Sequence, residues 1–134
     1  MNFVLDTNVI ISALYKTESV PYETLLIAFN GRNNFVYYTK EIFEEYIDVL
    51  NRKKFNFDKN IVTSLLAAIK ERGVLVNNIN YHYKEKFIHE DDRKFYELAK
   101  SYECYLITGN KKHYPNDPIV FSPKEFIDKL EKSA

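Results

Sequence analysis

The sequence predicts an α/β fold of three layers, α/β/α, with a central parallel sheet of about five strands. Two observations carry that prediction. Short apolar runs alternate along the chain with longer stretches in helical period, the pattern of strands joined by crossover helices. A parallel sheet built this way is covered on both faces, which suits runs that are apolar almost throughout. Size adds a bound. The chain has 134 residues, one domain's length (1–134) and enough to bury a core without staples. No repeat, linker or low-complexity tract divides it.

Taken in order, Asn2 to Leu5 is a short apolar run closed by Asp6, a buried strand. Thr7 and Asn8 are N-cap types, and Val9 to Leu14 supply the first helical turns. Pro21 opens a helix over Tyr22 to Phe29 that Gly31 ends. Phe35 to Tyr38 is the second strand. Thr39 caps a helix to about Leu50, with Glu41, Glu44 and Glu45 near the positive end of its dipole. Asp58 or Asn60 starts the next helix, through Ile61, Leu65, Leu66 and Ile69, with Gly73 beyond. Val74 to Val76 is the third strand. Residues 77–90 are polar and aromatic without a period, a loop lying against the surface. Asp91 and Asp92 open a helix to about Tyr102. Tyr105 to Thr108 is the fourth strand, and residues 109–117 form a loop with Pro115 as a breaker. Ile119 to Phe121 is the fifth strand. Ser122 and Pro123 begin a final helix with Phe126, Ile127 and Leu130 on one face.

Composition bounds the function. Lys plus Arg and Asp plus Glu each number 19, a formal charge of zero. That balance counts mildly against a nucleic-acid binder, although an acidic metal site would offset a basic rim. Cys104 stands alone in an apolar run, which excludes an internal disulfide and points to a buried thiol. Asp6 interrupts the first apolar run, so no signal peptide is expected, and no stretch is long enough to span a membrane. A cytoplasmic setting follows as an expectation. Only three glycines occur, with no phosphate-cradling loop. His82, His89 and His113 lack zinc-ligand spacing, and no serine-hydrolase elbow exists.

Chemistry in open α/β sheets gathers at the carboxyl ends of strands. Asp6 follows the first strand, where it is either a turn or N-cap residue or a metal-binding carboxylate. In the third helix Ile42, Phe43, Tyr46, Val49 and Leu50 form the apolar stripe. Glu45 borders that stripe, as an ordinary flanking residue or at the lip of a cleft, whereas Glu44 faces solvent. Asp91 and Asp92 flank the stripe of Phe95, Leu98, Ala99 and Tyr102; one caps the helix and the other is free for chemistry. Clustered carboxylates suit Mg²⁺ or Mn²⁺, which prefer oxygen ligands and support attack on a phosphodiester. Without a cation such acids would repel one another and a phosphate.

These residues resemble a known family. Val4-Leu5-Asp6-Thr7-Asn8-Val9 is similar to the opening motif of PIN domains. Thr39 to Tyr46 with Val49-Leu50 resembles their second motif and aligns the family's Glu with Glu45. His89-Glu90-Asp91-Asp92 with Phe95, Leu98 and Ala99 resembles the third and aligns the metal-binding Asp with Asp92. Tyr105 to Asn110, then Lys112 to Pro115, resembles the fourth. The branch with most likeness is that of toxin components of toxin–antitoxin pairs.

The resemblance implies a metal-dependent ribonuclease, with Asp6, Glu45 and Asp92 catalytic and, with Asn110, holding Mg²⁺ or Mn²⁺. It also implies supporting roles for Asn8, Asp91 and Thr108, an antitoxin partner and a homodimer. One departure stands out. Many PIN domains carry Asp where this chain has Asn110, whose amide offers a carbonyl oxygen but no charge. For the RNA backbone, Lys111, Lys112 and His113 adjoin the expected site. Arg52-Lys53-Lys54 reads as a solvated run. Tyr37, Tyr38 and Tyr114 serve either base stacking or core packing.

Overall fold

The computed structural model describes residues 1–133. Five strands form one parallel sheet: β1 (Asn2–Leu5), β2 (Phe35–Tyr38), β3 (Val74–Leu75), β4 (Tyr105–Ile107) and β5 (Val120–Phe121), in the order β3-β2-β1-β4-β5. Helices α1 (Thr7–Tyr15), α2 (Val20–Asn30), α3 (Lys40–Leu50), α4 (Lys59–Arg72), α5 (Arg93–Ser101) and α6 (Pro123–Ser133) surround it. The result is the expected three-layer α/β/α arrangement.

The central strand is β1, and its Phe3, Val4 and Leu5 are fully buried. Two-sided burial explains why this run is apolar at successive positions instead of alternate ones. Helix α5 packs across β1, β2 and β4, while α2 packs on α1 and α6. Phe3 meets Phe126 of α6 edge to face at 5.2 Å, so the last helix closes over the first strand. From β1 the chain steps outward to β2 and β3, then returns to β4 on the other side of β1. The reversal point is therefore the β1/β4 seam, where such folds open a crevice at the strands' carboxyl ends.

Local signals fix most boundaries. Ser19, Thr39 and Asp58 accept hydrogen bonds from the first-turn amides of α2, α3 and α4. Of the two candidate starts for α4, Asp58 is the one used, because its Oδ1 reaches both the Asn60 and Ile61 amides. Helix α5 differs at its start. Glu90–Asp92 forms a 3-10 turn, and α5 begins at Arg93 with no side-chain cap.

The segment from 77 to 90 has no period because its order comes from α5. Ser101 Oγ accepts from the Asn80 and Tyr81 amides at 3.1 and 3.0 Å. Glu97 accepts from the Tyr83 amide at 2.9 Å, and Tyr102 donates to the Asn78 carbonyl at 2.7 Å. Arg93 donates to the carbonyls of Tyr83 (2.6 Å) and Glu85 (2.7 Å), and lies over the Phe87 ring. Arg93→Ala should thus free this strap without melting the sheet. Amide exchange at Tyr83 and Phe87 should speed up by about an order of magnitude or more, while β1 and β4 amides keep their protection.

Candidate active site

Parallel register builds the site. Leu5 pairs with Ile107, so the next residues, Asp6 and Thr108, come out side by side at the seam. Asp6 is also the N-cap of α1, in place of the expected Thr7 or Asn8. The two roles do not compete, because capping uses one carboxylate oxygen. Oδ1 accepts from the Asn8 amide at 3.1 Å. Oδ2 accepts from the Thr108 hydroxyl at 2.9 Å and the Tyr114 hydroxyl at 2.8 Å. Thr108 Oγ1 accepts in turn from the Asn110 amide at 3.0 Å, and Asn8 Oδ1 accepts from the Gly109 amide at 3.0 Å.

Asp6 is only 5% exposed. Burial is the main force lifting its carboxyl above the ordinary range; its hydrogen bonds oppose this, and the Glu45 charge adds to the rise. Asp92, at the head of α5, is pushed the same way, first by burial and then by the Asp6 charge. His113 lies near it, Nδ1 to Oδ2 3.6 Å. Burial raises the Tyr114 phenol strongly, and Asp6, Asp92 and Glu45 add to this. Its hydroxyl bonds to Asp6, and the Asp92 and Glu45 charges act on it in the same direction.

Helix α3 delivers Glu45, and two contacts, one to the end of β1 and one to the start of α1, fix its approach. Tyr46, fully buried, donates to the Leu5 carbonyl at 2.5 Å. The Thr7 hydroxyl donates to Glu45 Oε2. Glu45 Oε1 pairs with Lys94 Nζ at 2.7 Å, so a side chain of α5 already supplies a cation here. Glu44 is exposed, as its place off the stripe requires.

The sequence candidates are not all equally close. Asp6, Asn8 and Thr108 form one hydrogen-bonded set, with Glu45 joined through Thr7 and Asp92 facing His113. Asp91 is exposed, and its carbonyl accepts from Lys94 Nζ at 2.5 Å. Asn110 is exposed, with its backbone amide directed to Thr108. Lys111 pairs with Glu125 at 2.9 Å, and Lys112 is exposed. Tyr38 belongs to the core and Tyr37 packs on Tyr102 at 5.7 Å, so neither is a base platform. Cys104 is buried and its thiol is pushed up to about 12, that of an inert group.

Tyr46 and Lys94 were not among the sequence candidates, and Tyr114 was offered for base stacking or core packing, not as a partner of Asp6. A buried Tyr needs a hydroxyl partner, so the tyrosines in the α3 stripe and beside His113 carried a signal of polar contact. Lys94 carried none.

The donor set is oxygen-only, which suits a hard divalent cation. Among the described residues, however, no three His, Cys, Asp or Glu side chains stand ready as a metal-binding group.

A family model described as PIN domain matches residues 2–112. The chain belongs to the PIN-domain family. PIN domains are generally nucleases. An uncharacterized protein of Methanocaldococcus jannaschii, MJ1680, is 32% identical, over 96% of this chain and 91% of that protein. The crystal structure of VapBC2 from Rickettsia felis, bound to a DNA fragment from its promoter, contains a chain with the same fold. The match has a TM-score of 0.61 at 22% identity, covering 91% of this chain and 97% of that one. Residues Asp6, Glu45 and Asp92 of this PIN domain lie inside the matched span, whereas Tyr114 lies beyond it. No described helix is long and apolar enough to cross a membrane.

Proposed function

We propose that this PIN domain is a metal-dependent endoribonuclease that hydrolyses RNA phosphodiester bonds and acts as the toxin of a toxin–antitoxin pair. The observation carrying this reading is the buried Asp6 at the β1/β4 seam, whose charge burial and Glu45 disfavour and a bound cation would favour. Asp6, Glu45 and Asp92 would hold Mg²⁺ or Mn²⁺, with the Asn110 carbonyl as a neutral addition. The chemistry such an ion supplies when bound is activation of water and stabilisation of charge on the phosphate. Thr108 and Tyr114 orient Asp6, and Thr7 orients Glu45. Lys112 and His113 would meet the RNA backbone beside the acids. Likeness to a chain of VapBC2 supports an antitoxin partner. A homodimer in the cytoplasm is the setting the family resemblance implies.

A second reading is an RNA- or protein-binding module without cleavage. The Lys94–Glu45 pair and the neutral, exposed Asn110 favour it. One experiment separates the two. A pool of structured and single-stranded RNAs is incubated with Mn²⁺, Mg²⁺ or EDTA, using wild type and Asp92→Asn. Cleavage that needs metal and vanishes in the variant is expected. Absence of cleavage by folded, antitoxin-free protein, with no Mn²⁺ binding by calorimetry, would favour the binding module.

A further inference from the structure

Next to the acids lies a cleft of about 180 Å³, and the catalytic reading gives no role to the strap residues that form one of its walls. It has room for roughly six waters at about 30 Å³ each, the scale of a flat ring and not of a bare ion. The strap forms one wall through Phe87 and Ile88, with Lys86 on its rim. The other wall is His113, Tyr114 and Pro115.

Both walls are braced. Phe87 meets Tyr114 edge to face at 6.0 Å and is covered by the Arg93 guanidinium at 4.9 Å. The His113 ring packs on His89 at 4.4 Å. Ile88 alone breaks the pattern: it is 69% exposed, though large and apolar, beside a buried Phe87. Continuity with the acids is direct. Tyr114 reaches Asp6 with its hydroxyl, and His113 faces Asp92, so the wall of the cleft is also the edge of the acid cluster.

Resting on the ribonuclease reading above, we infer that this cleft binds one unpaired nucleotide of single-stranded RNA. Its base lies between Ile88 and the His113–Pro115 wall, and Lys86 meets its phosphate. An apolar slot with a cationic rim matches a nucleotide, which has an apolar face and an anionic backbone. A base within a duplex remains stacked and cannot enter such a slot. The cleft therefore selects unpaired RNA and sets which residue lies beside the acids.

The test is fluorescence anisotropy with a labelled short single strand and its blunt duplex, in EDTA and again in Ca²⁺. Wild type is compared with Ile88→Ala, Lys86→Ala and, as a distant control, Lys59→Ala. The single strand should bind more tightly than the duplex. Ile88→Ala should weaken it about fivefold, the scale of one lost apolar contact. Lys86→Ala should reduce the salt slope by about one charge. Lys59→Ala should match wild type. Photocrosslinking of an iodouridine-substituted strand should mark the peptide around residues 83–88 or 113–115. Equal affinity for strand and duplex, no single-strand binding, or an Ile88→Ala variant with full affinity would overturn the assignment. These outcomes are separate from the cleavage result. Strand binding that depends on Ile88 without cleavage would keep the cleft and remove the nuclease, and cleavage with a silent Ile88→Ala would do the reverse.

Discussion

Asp6→Asn should lose RNA cleavage by at least about 100-fold while remaining folded. Loss of a ligand's supporting partner alone costs about 10- to 100-fold, and this change removes the charge of the proposed ligand itself. Its effect on the metal-free fold has a definite sign. Burial raises the Asp6 carboxyl in the folded state, so the folded chain binds this proton more tightly than the unfolded chain does. Stability from this group is therefore lost as pH rises from the unfolded value through the raised folded one, and at neutral pH the buried charge costs stability. Asn removes that cost but leaves one oxygen where two served, so either the Asn8 amide or the Thr108 and Tyr114 hydroxyls lose their acceptor. Because burial outweighs the hydrogen bonds, the metal-free variant should melt at or above the wild-type temperature at pH 7. The difference should shrink as pH falls toward the unfolded carboxylate value. A variant that is unfolded without metal would make Asp6 a structural residue.

Tyr46→Ala should produce the largest loss of stability, about 3–5 kcal/mol by the scale of large aromatic truncations. The side chain is fully buried, and its hydroxyl satisfies the Leu5 carbonyl just before Asp6. Tyr46→Phe separates the two contributions. It keeps the ring and removes only the bond, for about 1–2 kcal/mol. Urea unfolding should place the three proteins in the order wild type, Phe, Ala. Tyr46 is a positioning residue on the proposed function, since it ties the helix bearing Glu45 to the strand bearing Asp6. Tyr46→Phe should then also weaken Mn²⁺ binding by calorimetry, which a purely structural loss would leave unchanged in the folded fraction.

Much of the fold was legible because apolar runs located all five strands; two-sided burial forces such a run in β1, whereas β2 and the edge strand β3 keep theirs with Phe35 and Leu75 exposed. Capping residues located the starts of α3, α4 and α6. Asp6 was harder. Its identity as a turn residue or a functional carboxylate looked like a choice, but its two oxygens allow it to cap α1 with one and meet Thr108 and Tyr114 with the other. The head of α5 also differed from expectation: neither Asp91 nor Asp92 caps with its side chain, because a 3-10 turn brings the chain into the helix. The Lys94–Glu45 pair joins two helices, and no periodicity within either one reports it. The strap was legible only as a loop, since its order is written in Arg93, Glu97, Ser101 and Tyr102, outside its own sequence.

The β1/β4 seam has a consequence for the chain during synthesis. Asp6 meets Thr108 across a sequence separation of 102 and Tyr114 across 108. The first carboxylate therefore leaves the ribosome long before the hydroxyls that hold it. Contacts this distant form only after the intervening chain has been made. A nascent chain that ends between Asp92 and β4 carries Asp6, Glu45 and Asp92 without the strand that supplies Thr108 to Asp6. On the proposed function, completion of the β1/β4 pairing would be the step that assembles the site, so a partly made chain should lack it.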